Sequence, residues 1–181
     1  MKIDHGSVDR VWKVIVGGAG GVGKTTILHR YIHNEFIEDT QLTVGVQFHT
    51  MHVEKNDMRI ALAMWDLGGQ ERFRFILPSY VKGATAAFVL FDMGRVQTFL
   101  EAREWVDLVR ASAGSVPVVL VGTKFDTIDE KDVMNMHAAG EKLAAELGCV
   151  AYISTSAKLG YNVKETVDYM IDYLLAIDAQ S

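Results

Sequence analysis

A single cysteine, Cys149, stands in 181 residues. No internal disulfide can form, and that usage suits a reducing compartment, so a cytoplasmic location is expected. No apolar run approaches the ~20 residues that a bilayer-spanning helix needs. The opening Met1-Lys2-Ile3-Asp4-His5-Gly6 lacks the apolar stretch of a secretion signal, and lysine at position 2 leaves no glycine for N-myristoylation. The closing Asp178-Ala179-Gln180-Ser181 holds no cysteine to prenylate. A direct membrane anchor is therefore expected to be absent, or else carried on chain outside this sequence. Basic residues are also in deficit. Lys and Arg number 18 against 23 Asp and Glu, a net charge of -5, which argues against a general nucleic-acid-binding surface. Linkers and internal repeats are lacking too, and the length suits one domain over residues 1–181, expected as a monomer.

What is present is an alternation of strand-like and helix-like segments. Strands are expected at roughly 10–17, 46–54, 58–65, 85–91, 116–121 and 150–154, and helices at roughly 24–33, 71–82, 96–112, 131–147 and 162–176. Ala86-Ala87-Phe88-Val89-Leu90-Phe91 and Val116-Pro117-Val118-Val119-Leu120-Val121 are almost continuously apolar, as strands covered on both faces require. Lys55-Asn56-Asp57 is a hairpin signal, so the second and third strands should form an antiparallel edge pair. The expected fold is a doubly wound α/β sheet of six strands, mostly parallel, with about five helices; such sheets bind ligands at the carboxyl ends of their strands.

Gly18 to Thr25 reads G-A-G-G-V-G-K-T, which fits the phosphate-binding pattern G-x-x-x-x-G-K-[ST]. A triphosphate presents several anionic oxygens, and backbone N–H groups of Gly20, Gly21, Val22 and Gly23 can curl around them where no Cβ intervenes. Lys24 supplies a point charge to the β- and γ-phosphates, Thr25 a hydroxyl for Mg²⁺, and Thr26 continues into a helix whose positive end faces the anion. Trp65-Asp66-Leu67-Gly68-Gly69-Gln70-Glu71 follows a strand. Alone it could be a turn. After a phosphate loop, Asp66 becomes a candidate to hold Mg²⁺ through its water shell, Gly69 an N–H donor to a γ-phosphate, and Gln70 the residue that orients a water for in-line attack. Thr123-Lys124-Phe125-Asp126 and Ser156-Ala157-Lys158 sit at two further strand ends. The Asp126 carboxylate can accept the N1–H and exocyclic amine of guanine as a buried polar pair, where adenine would present a lone pair. The Lys124 stem can lie over the base and the Ala157 N–H can meet guanine O6.

With these motifs in order, the chain resembles a Ras-superfamily small GTPase over essentially its whole length. Within that superfamily it is most similar to the Rab branch, in Thr43-Val44-Gly45-Val46-Gln47-Phe48, in Gln70-Glu71-Arg72-Phe73-Arg74 and in Tyr80-Val81-Lys82-Gly83-Ala84. The resemblance implies that Thr43 is a switch I ligand of Mg²⁺ in the triphosphate state and that Phe36 clamps the guanine edge-on. It implies that Phe48, Trp65 and Tyr80 engage effectors, and that an exchange factor and a GTPase-activating protein regulate the cycle. The Gly20 position is one where a side chain would obstruct the catalytic glutamine. Two departures stand out. Leu67-Gly68 replaces the Rab Thr-Ala, giving an Arf-like D-x-G-G-Q, and Thr123 replaces the usual asparagine, as in Rho and septation-type GTPases. The function implied is a switch that binds GTP or GDP and hydrolyses GTP, with Lys24, Gly69 and Gln70 as its catalytic set, in trafficking or related regulation. A scaffold with negligible turnover, a polarity or septation-type GTPase and an adenylate-using phosphate-loop enzyme are the alternatives. No arginine is evident in switch I to act as a finger in cis. His29, His33, His49 and His52 lack an acidic or cysteine partner in the pattern and are expected at the surface.

Overall fold

The computed structural model describes residues 7–38 and 41–181. The readings made on the first six residues, Lys2 among them, lie outside the described residues. In chain order the elements are β1 (Arg10–Gly18), α1 (Lys24–His33), β2 (Val46–Lys55), β3 (Met58–Leu67), α2 (Leu77–Val81), β4 (Ala86–Asp92), α3 (Val96–Ala113), β5 (Val118–Thr123), α4 (Glu130–Glu146), β6 (Ala151–Ser154) and α5 (Val163–Asp178). The strands order β2-β3-β1-β4-β5-β6. Only β2 runs antiparallel, paired to β3 from Val46↔Leu67 to Lys55↔Met58. Asn56 and Asp57 close that hairpin in left-handed conformations, φ 52 and 60, the pair of positive φ values that a tight hairpin turn matching strand twist demands.

Side-chain alternation along β1 divides the core in two. Trp12, Val14 and Val16 join Leu28 of α1 and Met170, Ile171 and Leu174 of α5 on one face, while Ile15 joins Leu77, Trp105 and Val106 on the other. β4, with α-helices over both faces, is buried at all seven positions. From β1 the sheet continues through β3 on one side and β4 on the other. This divergence opens a crevice above the carboxyl end of β1, where the phosphate loop leaves the strand.

One expected helix is not continuous. Over 71–82 the chain forms a 3₁₀ segment, Glu71–Ile76, and then the short α2. Pro78 lies in the first turn of α2, where its missing N–H does no harm; placed mid-helix it would remove a bond to the turn before it. Pro117 likewise moves the start of β5 to Val118, although its carbonyl still accepts from Ala87 N–H at 3.0 Å.

Candidate functional site

Between β1 and α1 every carbonyl from Gly18 to Gly23 has a donor. Lys24 Nζ donates to Gly18 O and Ala19 O at 2.8 Å each, Arg95 Nη2 to Gly20 O at 2.8 Å and Lys124 Nζ to Gly21 O at 2.9 Å. Thr123 Oγ1 donates to Val22 O at 2.5 Å, and Ile27 N–H to Gly23 O at 2.9 Å. A trans peptide directs its C=O and N–H opposite ways, so the Gly20, Gly21 and Val22 carbonyls, held by side chains of later segments, leave the Gly21, Val22 and Gly23 amides to face the crevice. Gly21 and Gly23 take φ 73 and 100, conformations that L side chains rarely adopt. Lys24 is buried, and burial lowers its pKa to about 8, with Asp66 opposing the shift and Arg95 adding to it. An ammonium so placed gains from an anion beside it.

Beneath the loop, three oxygens converge. Thr25 Oγ1 donates to Asp66 Oδ2 at 2.5 Å and lies 2.7 Å from Thr43 Oγ1, whose hydroxyl is 3.4 Å from the same carboxylate oxygen. Asp66 Oδ1 is buried with no hydrogen-bond partner. Burial raises the Asp66 pKa, against the lowering effects of Thr25, Lys24, His49 and Thr43. Two hydroxyls and a carboxylate with an unsatisfied oxygen form a hard donor set, suited to Mg²⁺.

The crevice continues as a cleft of about 370 Å³ lined from Gly20 past Phe36, Thr43 and Gly69 to Asp126 and Lys158. That volume lies in the usual range of small-molecule sites, ~300–1,000 Å³. At its far end Ser156 Oγ donates to Asp126 Oδ1 at 2.6 Å and accepts Leu159 N–H at 3.1 Å. Asp92 ties the two ends together. Its buried carboxylate takes Arg95 Nε at 3.1 Å and Lys124 Nζ at 2.9 Å on Oδ2, and Gly94 N–H at 2.8 Å on Oδ1.

The segments that flank this oxygen cluster touch each other. Gly68 N–H donates to Gly45 O at 2.6 Å. A Cβ on Gly69 would lie 2.4 Å from Ala19 C and Gly20 N, so this backbone rests directly on the phosphate loop. Gln70 lines the cleft, with its Oε1 accepting from Arg72 Nε at 2.7 Å.

The Ras family model matches residues 13–176. The chain belongs to the Ras family. As a member it is a small GTPase in the general sense, a GTP-binding switch on a P-loop GTPase fold.

In this Ras-family chain the nucleotide, metal and catalytic residues singled out from sequence line one cleft, except Asp66, which is buried beneath the phosphate loop, and Ser156. Ser156 is fully buried behind Asp126 and does not line the cleft. Asp126 itself is exposed at the rim of the cleft, where a buried pair was expected. Thr123 also serves the loop more than the base, through its bonds to Val22 O and to Phe91 O at 3.1 Å. Phe48, Trp65 and Tyr80 form a contiguous row, with ring centroids 5.2 and 5.9 Å apart and Phe48 54% exposed. His33 and His52 are exposed, but His29 and His49 are half-buried with Nε2 sealed from water, which corrects the expectation of surface placement. Asp92, Arg95 and Leu42 went unread. Asp92 left one signal, a carboxylate that ends an otherwise apolar strand.

Proposed function

We propose that this chain binds GTP and GDP with Mg²⁺ and hydrolyses GTP to GDP as a regulatory switch, acting as one domain, monomeric and cytoplasmic. The observation that carries the reading is the single cleft that joins an amide-lined phosphate loop and an oxygen cluster at one end to Asp126 at the other. Amides of Gly20, Gly21, Val22 and Gly23, with Thr26 in the first turn of α1, hold the phosphates. Lys24 places its ammonium on the β/γ side. Thr25, Thr43 and Asp66 hold Mg²⁺, which when bound offsets the negative charge of the phosphate oxygens. Phe36 and Lys124 cover the base, Asp126 reads its N1–H and amine, and the amides at Ala157 and Lys158 face its carbonyl edge. Gly69 offers its N–H to the terminal phosphate, and Gln70 orients the water that attacks it. Loss of that phosphate releases the loops of Thr43 and Gly69 together.

The similarities to T-I-G-x-x-F and W-D-x-x-G-Q-E-R-F-R support a place near the Rab branch and a role in trafficking or related regulation. The aromatic row at Phe48, Trp65 and Tyr80 supplies an effector surface. Extraction of nucleotide from the purified chain, followed by chromatography, tests the reading directly: guanine nucleotides support it, and adenine nucleotides sink it. Asp126→Asn should shift preference toward xanthine nucleotides, which carry a carbonyl in place of the amine; full GTP affinity in that variant would remove Asp126 from its role. A second reading, a nucleotide-binding scaffold with negligible turnover, is favoured by the hydrogen bond that keeps the Gln70 amide oxygen on Arg72. Single-turnover hydrolysis separates the two.

A further inference from the structure

Arg95 stands between β4 and α3, in extended conformation just before the first turn of the helix. Its side chain reaches back across the fold to a loop 75 residues earlier, where Nη2 donates to Gly20 O at 2.8 Å. Nε is meanwhile held by the buried carboxylate of Asp92 at 3.1 Å. Two groups separated in the guanidinium are thus fixed at once, which a planar donor fork does well and a point charge on a flexible stem does poorly. Among the charged donors on the outer face of the phosphate loop, Lys124 serves the Gly21 carbonyl and Arg95 the Gly20 carbonyl. The amide on the other side of the Gly20 carbonyl is the Gly21 N–H, which the trans peptide therefore aims into the cleft. A cation on the carbonyl also polarises that amide and strengthens any bond it donates.

The position along the loop matters. Leu42 lies 3.8 Å from where a Cβ on Gly20 would stand, and a Cβ on Gly69 would fall 2.4 Å from Gly20 N. Gly20 is thus where the segments before Thr43 and after Asp66 converge on the loop. In the guanine-nucleotide reading on which this rests, that is the end occupied by the terminal phosphate.

We propose that Arg95 is a positioning residue for the triphosphate end of the site, holding the Gly20–Gly21 peptide so that its amide faces the terminal phosphate and biasing the chain toward GTP over GDP.

The test compares dissociation of a non-hydrolysable GTP analogue and of GDP, each fluorescently labelled and chased with excess unlabelled nucleotide, for the full chain and for Arg95→Ala and Arg95→Lys. Arg95→Ala should release the triphosphate roughly three- to tenfold faster, the size of one charge-assisted hydrogen bond at a half-exposed site. GDP release should change by less than about twofold, and Arg95→Lys should recover part of the difference through charge alone. A purely structural role would move both nucleotides alike and lower the melting temperature of the GDP form. Equal acceleration of both nucleotides, or no change in either, overturns the proposal. A wild-type chain that binds neither nucleotide overturns the reading beneath it, so the two failures are told apart on the wild type.

Discussion

Alanine at position 68 is the smallest change that should uncouple the two segments around the Thr25, Thr43 and Asp66 oxygens. An ideal Cβ on Gly68 falls 2.7 Å from Gly45 O, 2.8 Å from Thr43 O and 3.1 Å from Gly45 N. All three neighbours are backbone atoms, so no rotamer change relieves the clash. Gly68 does not have a left-handed φ, which makes steric overlap the whole perturbation. Overpacking of this kind costs about 1–3 kcal/mol. The Gly68 N–H to Gly45 O bond is lost with it, a further ~1 kcal/mol. Together these disfavour the docked arrangement by about 2–4 kcal/mol, some 30- to 1,000-fold. Neither Gly68 nor Gly45 belongs to either apolar cluster, so the undocked chain should still melt close to wild type. Hydrogen exchange reads the effect: amides over 43–46 should lose protection in Gly68→Ala, while those of β4 and β5 keep theirs. Unchanged protection over 43–46 would refute the reasoning, because the clash would then have been absorbed without undocking.

Intrinsic hydrolysis should be slow, on the order of 10⁻⁴–10⁻² s⁻¹, as for GTPases that act without a partner's arginine, and Gln70→Leu should slow it further with GTP binding nearly intact; equal single-turnover rates would show that Gln70, tied to Arg72, does not orient the water. Phe48→Ala removes a half-exposed ring whose edge contact with Trp65 is worth about 1 kcal/mol, so stability should fall little while binding to a GTP-dependent partner drops at least about tenfold; a severe loss in the thermal melt would instead make Phe48 a core residue. Lys24, with its pKa lowered to about 8, is half deprotonated at that pH in the free chain and regains its proton beside phosphate. Nucleotide affinity should therefore decline as pH rises above about 8, and calorimetry at pH 8 in buffers of different ionisation enthalpy should show uptake of roughly half a proton on binding. No uptake would place the ammonium at its ordinary pKa. The sign for stability is opposite: between about 8 and the ordinary value of 10.5 the unfolded chain holds more protons at this lysine, so folding gains as pH rises through that window.

The parts of the fold readable in advance were those written in adjacent residues. Six of the seven consecutive buried positions in β4 appear as a run of apolar letters, and the β2–β3 hairpin as Asn56-Asp57. The phosphate loop is likewise a local motif. The break between Ile76 and Leu77 was hidden because a 3₁₀ turn and an α turn carry nearly the same apolar spacing, and only Pro78 marked it. Asp92, Arg95 and the hydroxyl of Ser156 act through partners far along the chain, 75 residues away for Gly20 and 30 for Asp126. Periodicity does not encode such pairings. Asp126 was expected to be interior because the chemistry assigned to it calls for low dielectric, yet it lies exposed on the rim of the cleft.

Asp92 has one further consequence. A single carboxylate oxygen holds both Lys124, beside Asp126, and Arg95, whose other nitrogen bonds to the phosphate loop. Any motion that draws Lys124 aside leaves that charge to Arg95 alone, and any motion of Arg95 leaves it to Lys124. Occupancy at the two ends of the cleft is therefore linked by a shared free energy, and linkage is reciprocal: what the base gains from the phosphates, the phosphates gain from the base. A guanosine lacking phosphate, or a pyrophosphate lacking base, should bind far more weakly than its share of contacts suggests. A protein that pries at either end would thereby loosen the other.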